Sequence, residues 1–133
     1  MRIIARLDVK NNFVIKGINF EGLRKVGNPN FIGKKYYLDG ADELLFMDVV
    51  ASLYGRNNIF EIIKKITKNI FIPITVGGGI RSVEDIQQAL NSGADKVAIN
   101  SAAVKSPKFI KQAVSFFGSS TIVVSIETRK NKK

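Results

Sequence analysis

Strand-sized apolar runs alternate with helix-length amphipathic stretches along the chain, and this alternation limits the possible folds more than any other feature. Ile3 to Leu7 is the first apolar run, closed by Asp8. Leu44-Leu45-Phe46-Met47 is the second, closed by Asp48. Phe71 to Val76 is the third, Lys96 to Asn100 the fourth, and the β-branched stretch Thr121 to Ile126 the fifth. Helical periods lie between them. Asn30 to Leu38 repeats Phe31, Lys34, Lys35 and Leu38 at threes and fours, and stops at Asp39-Gly40. Asn57 to Asn69 sets Ile59, Ile62, Ile63, Ile66 and Ile70 on one face. Ser82 is a good N-cap with Glu84 and Asp85 in the first turn; its helix turns Val83, Ile86 and Leu90 inward and ends at Gly93. Ser106-Pro107 opens the last helix, with Pro at the first position, where its missing N–H costs nothing. Phe109, Ile110, Ala113, Val114 and Phe117 supply the buried face of that helix, and Gly118 ends it. Near-continuous apolar strands in strict alternation with helices predict a parallel sheet covered by helices.

An internal echo refines this. Gly40-Ala41-Asp42-Glu43 precedes the second strand, and Gly93-Ala94-Asp95-Lys96 precedes the fourth, 53 residues later. Repeated units of this kind suit a barrel of duplicated modules better than a doubly wound sheet. Residues 9–29 are Gly- and Asn-rich, with only Phe13-Val14-Ile15 extended, and a loop of that length is usually functional.

Composition narrows the class. The chain has 133 residues, enough for one domain over 1–133 and too few for two. With 45% apolar residues it is globular, and no apolar run reaches the roughly 18–20 residues of a membrane span. Asp8 interrupts the N-terminus before a signal-peptide apolar region forms, so the expected location is cytoplasmic, without membrane contact. Absence of Cys excludes disulfides and thiolate chemistry, and no metal or cofactor is expected. The net charge of +10 is scattered, with one dense cluster at Arg129 to Lys133. No aromatic-basic interleaving accompanies it, so no nucleic-acid partner is expected.

In a parallel α/β fold the chemistry gathers at the C-terminal ends of the strands. Asp8, Asp48 and Glu127 stand at three of the five ends. Each alone fits an acidic residue at an exposed strand end; all three on one rim point to acid/base work. Gly77-Gly78-Gly79 lies directly before a helix, where backbone N–H groups approach a phosphate. A tight turn needs one Gly and rarely three. Asn100-Ser101, at the next strand end, could close the other side of the same phosphate. The spacing matches neither the dinucleotide fingerprint nor a P-loop.

These residues resemble a known family. Ala5 to Lys10, Lys16-Gly17, Asn19-Phe20, Asp42-Glu43-Leu44, Thr75 to Ile80 and Gly93 to Asn100 occur in the order found in the cyclase subunit of imidazole glycerol phosphate synthase. The resemblance covers the first half of that family's barrel. It implies a parallel-stranded (β/α)8 TIM-barrel fold, here about half a barrel of five strands and four helices. The activity it implies is a lyase in histidine biosynthesis. Ammonia from a glutaminase subunit would convert a phosphoribulosyl-formimino aminoimidazole carboxamide ribotide into imidazole glycerol phosphate and an aminoimidazole carboxamide ribotide. By resemblance, Asp8 and Glu127 are the catalytic carboxylates. Gly78, Gly79, Asn100 and Ser101 bind phosphate, Lys16 lies on the mobile first loop, and Asp48 lines the mouth. Arg2, Glu43 and Lys96 sit where ammonia enters, and Asp95 faces the glutaminase.

Two departures from the family weigh on activity. Glu127 stands where the family has an aspartate, and Arg6, two before Asp8, shares its inward face and is placed to pair with Asp8 or Glu127. A chain stopping after a fifth strand reads as a truncated half-barrel, weak or inactive alone, and a pairing of two such copies is expected. Two alternatives stand beside the cyclase: an ammonia-using relative for sugars of surface polysaccharides, and a non-catalytic phosphate-binding module.

Overall fold

A computed structural model of the chain describes residues 1–17, 23–51 and 59–127. Asn57, Asn19-Phe20 and the basic run Arg129–Lys133, singled out above, lie outside the described residues. The elements run in order β1 (Ile4–Lys10), β2 (Phe13–Gly17), β3 (Leu23–Gly27), α1 (Pro29–Leu38), β4 (Glu43–Asp48), α2 (Ile59–Ile66) and β5 (Ile74–Gly77). Then follow α3 (Val83–Asn91), β6 (Lys96–Ile99), α4 (Ser101–Lys105), α5 (Pro107–Phe117) and β7 (Ile122–Val124). The sheet order is β3-β2-β1-β4-β5-β6-β7. The five strands expected from the alternation form its parallel part, β1-β4-β5-β6-β7.

Register sorts the side chains into rows. Leu7, Phe46, Val76, Val97 and Ile122 are neighbours across the five parallel strands, and the first four of them are buried against the helices. On the opposite face Arg6, Leu45, Thr75 and Lys96 form one row, and Asp8, Met47, Gly77, Ala98 and Val123 the next. The helices complete the core. Ile59, Ile62, Ile63 and Ile66 of α2 are buried as their spacing predicted, each worth roughly 1.5–3 kcal/mol relative to exposure. Gly33 lets α1 approach closely, since a Cβ there would come within 2.5 Å of Ile66 Cδ1.

Several expectations are corrected. The described residues of the stretch 9–29 are not one loop: Asn11-Asn12 makes a two-residue turn, with Asn11 at φ +55°, and β2 and β3 extend the sheet antiparallel beside β1. Lys16 is therefore an exposed strand residue of β2, paired in register with Arg24, and not part of a loop. Half a barrel of five strands and four helices becomes seven strands and five helices among the described residues, α4 being the added helix. The row Phe31, Lys34, Lys35, Leu38 faces outward, with Phe31 and Leu38 strongly exposed, while Pro29 and Gly33 face in. The third strand begins only at Ile74. Phe71 is exposed, and Pro73 contributes only its carbonyl, which accepts from Leu44 N. The fifth strand is limited to three residues.

The sheet curls. Arg6 on β1 stands 3.6 Å from Glu127, just past β7, although β4, β5 and β6 lie between those strands. On a flat sheet four inter-strand spacings would separate them by about 19 Å, more than two side chains span. The face bearing Arg6 and Asp8 is therefore concave, as in part of a barrel wall.

Candidate functional site

A cavity of about 710 Å³ opens at the C-terminal ends of the parallel strands. Asp48 at the end of β4, Gly78 and Gly79 after β5, Asn100 and Ser101 after β6, and Glu127 after β7 all line it. The common parallel register explains this convergence, because it brings the last residues of each strand to one level. Asp8, in the last turn of the pleat of β1, stands on the same rim but does not line the cavity; Arg6, which does, connects it.

The glycines have distinct reasons. Gly78 and Gly79 both have positive φ, +93° and +71°, which L side chains rarely adopt. A Cβ on Gly78 would stand 2.0 Å from the Asp48 carbonyl oxygen, so only glycine lets the β5 end pass so near β4. The helix that follows offers less to a phosphate than its position suggested. Ser82 Oγ accepts from Asp85 N, and the Asp85 carboxylate accepts from Ser82 N and Arg81 N, at 3.2, 3.1 and 2.8 Å. The start of α3 is thus occupied by its own capping box. An anion in the cavity would meet Gly78-Gly79 and Asn100-Ser101 instead.

Asp48 is buried, and its carboxylate accepts from Val50 N at 3.0 Å and Ala51 N at 2.9 Å. Burial pushes its pKa up, and those two N–H groups oppose the rise. Arg81 donates to Ala51 O at 2.8 Å, tying the same segment to the loop after Gly79. No pattern in the sequence pointed to Arg81, nor to Lys105; both line the cavity.

The two candidate catalytic carboxylates share one cation. Arg6 Nε donates to Asp8 Oδ1 at 2.7 Å, and Arg6 Nη1 lies 3.6 Å from Glu127 Oε1. The Asp8 hydrogen bond, above all, holds the guanidinium pKa above its usual value, with partial burial opposing. The pairing expected from position alone is present with both partners.

At the opposite end of the strands, Glu43 is buried and pairs with Lys96, and with Arg2 at 3.6 Å. Glu43 and Lys96 occupy equivalent places in the two echoed segments. The aspartates of the echo are equivalent as well. Asp42 accepts from Ile3 N at 2.6 Å and donates its own N–H to Ile3 O; Asp95 accepts from Ile74 N at 2.8 Å and donates to Ile74 O. Each aspartate clips its strand to the neighbouring parallel strand. Lys16 does not line the cavity.

Comparison with known proteins bears on all of this. The family model described as "Histidine biosynthesis protein" matches residues 2–133. The chain is 59% identical over 130 residues to the imidazole glycerol phosphate synthase subunit HisF of Legionella pneumophila, covering 98% of this chain and 61% of that protein. It is 50% identical over 129 residues to the protein of the same name from Campylobacter concisus, covering 97% and 51%. The Natranaerobius thermophilus protein of that name is 50% identical over 132 residues, covering 99% and 53%. The chain therefore spans about half to three-fifths of the length of these relatives.

Proposed function

This chain belongs to the histidine biosynthesis protein family, and from that premise we propose that it carries the amino-terminal part of a synthase cyclase site. A phosphate of the ribotide substrate would sit against Gly78, Gly79, Asn100 and Ser101. Asp8 and Glu127 would exchange protons with the substrate during ring closure and cleavage. Ammonia would enter past Arg2, Glu43 and Lys96, delivered by a glutaminase subunit docked at that end near Asp95. The observation that carries this reading is the joining of the Gly-rich strand end and a carboxylate on one cavity, with the second carboxylate tied to it through Arg6. The word "subunit" in the relatives' names supports a partner chain.

The whole reaction is assigned to a polypeptide of the relatives' length, and the 133-residue chain alone is expected to turn over weakly or not at all. The test grafts the 130 residues that match the Legionella relative into that protein and supplies ammonium salt in place of the glutaminase. Asp8→Asn in that graft is expected to lower turnover by on the order of 100-fold or more, leaving inorganic phosphate affinity unchanged. Full turnover of the Asp8→Asn graft would overturn the assignment of Asp8.

A second reading is favoured by one observation, the engagement of both carboxylates by Arg6. In it the scaffold passes ammonia to a different phosphorylated sugar, and Asp8 and Glu127 only neutralise the cation. Turnover with the ribotide substrate, compared between the parent graft and its Asp8→Asn variant, separates the two.

A further inference from the structure

We propose that Arg6 is a positioning residue, a brace from the first to the last parallel strand that sets where Asp8 and Glu127 sit over the cavity. The inference rests on the reading of those carboxylates as the acid/base pair, but the brace itself is tested independently of it. Arg6 projects from the concave row of β1, and its guanidinium meets Asp8 two residues along the same strand. Its other end crosses the curl to Glu127. No other ion pair of either carboxylate is present among the described residues. One planar group thus determines the separation and orientation of both acids.

Magnitudes argue for orientation over stability. The side chains of Arg6, Asp8 and Glu127 are 44%, 38% and 60% exposed, and ion pairs that wet add little to folding. A guanidinium does not give up its proton, so Arg6 takes no part in proton transfer; its fixed fork only directs the groups that bond to it. The unequal distances also matter. Asp8 is hydrogen-bonded at 2.7 Å, whereas Glu127, at 3.6 Å, is held more loosely. The extra methylene of Glu127, relative to aspartate, lengthens its reach toward the guanidinium. Arg6 and Glu127 therefore act as a matched pair, and replacing either one alone leaves the other misplaced.

The first arm of the test is NMR of the 133-residue chain, reading the side-chain carboxyl carbon of Glu127. Asp8→Asn is expected to shift that resonance, and the shift is expected to vanish when the same substitution is made on an Arg6→Met background. The Arg6→Met chain should melt within about 4 °C of the parent, which separates loss of the brace from loss of the fold. A Glu127 signal indifferent to Asp8→Asn, or equally sensitive with and without Arg6, overturns the brace. The second arm uses the grafted enzyme with ammonium salt. Arg6→Met is expected to lower kcat by on the order of 100-fold, as displaced acid/base groups do, with KM little changed. Arg6→Lys should recover part of the loss. An unchanged or higher kcat in Arg6→Met overturns the positioning role. If the parent graft itself makes no product, the cyclase reading fails, and the NMR arm still decides the brace.

Discussion

Gly40 and Gly78 share the same backbone angle, φ +93°, but their surroundings differ. A Cβ on Gly40 meets nothing within 4 Å, whereas one on Gly78 collides with the backbone of Asp48. Gly40→Ala is expected to cost about 1–2 kcal/mol, the strain of a left-handed residue alone. Gly78→Ala should cost more than about 3 kcal/mol, because backbone must also move. Urea midpoints of the two variants check this. Asp48 gives a pH-dependent case. Its pKa is raised in the folded chain, so between the ordinary value of 3.8 and the raised one the native state binds more protons than the unfolded state. Stability contributed by that difference is present at low pH and is lost as pH rises through the window. Asp48→Asn keeps an acceptor for Val50 and Ala51 and removes the charge. Relative to the parent it should gain stability from pH 4 to pH 7, measured by denaturant unfolding at both values. At this scale the sequence was informative: Asp8, Asp48, Gly78, Gly79, Asn100, Ser101 and Glu127 all lie at or near the C-terminal ends of parallel strands. Arg81 and Lys105 were not legible, because Arg81 lies just before α3 and Lys105 ends the short helix α4, and only packing decides which way each points.

Among the elements, the echoed Gly-Ala-Asp segments show how a strand is fixed in register before its ladder begins. Asp42 and Asp95 each exchange two hydrogen bonds with an isoleucine at the start of the neighbouring parallel strand. Asp95→Ala removes the acceptor for Ile74 N and is expected to cost about 1 kcal/mol, while Asp95→Asn should cost less. Hydrogen exchange at the Ile74 amide is the local check, with faster exchange expected in the alanine variant. The parallel strands and the faces of α2 and α3 were legible because apolar spacing alone specifies them. The antiparallel pairing of β2 with β3 was not. β3 is the edge strand and β2 lies beside it; together they carry Lys16, Arg24 and Lys25, a composition that masks alternation. The extended piece Phe13-Val14-Ile15 marked β2 alone, and the Asn11-Asn12 turn joins β1 to β2, so neither pointed to β3. α1 misled in a different way: its large apolar residues Phe31 and Leu38 face out, and its inward contact is a glycine. Residue size pointed to the wrong face.

For the molecule as a whole, curl is what turns a row of strand ends into a site. The parallel register levels the ends, the curvature brings β1 toward β7, and the cavity forms where glycine permits close approach. The chain belongs to the histidine biosynthesis protein family and spans about half to three-fifths of the length of the relatives it matches. We propose that this rim binds a phosphate through Gly78-Gly79 and Asn100-Ser101. A titration of the ¹⁵N-labelled chain with ribose 5-phosphate, followed by amide shifts, tests it most directly. Saturable shifts at those four residues, abolished by Gly79→Asp, are the expected result. Shifts confined to the Glu43–Lys96 end, or a Gly79→Asp chain that binds as well as the parent, would contradict it.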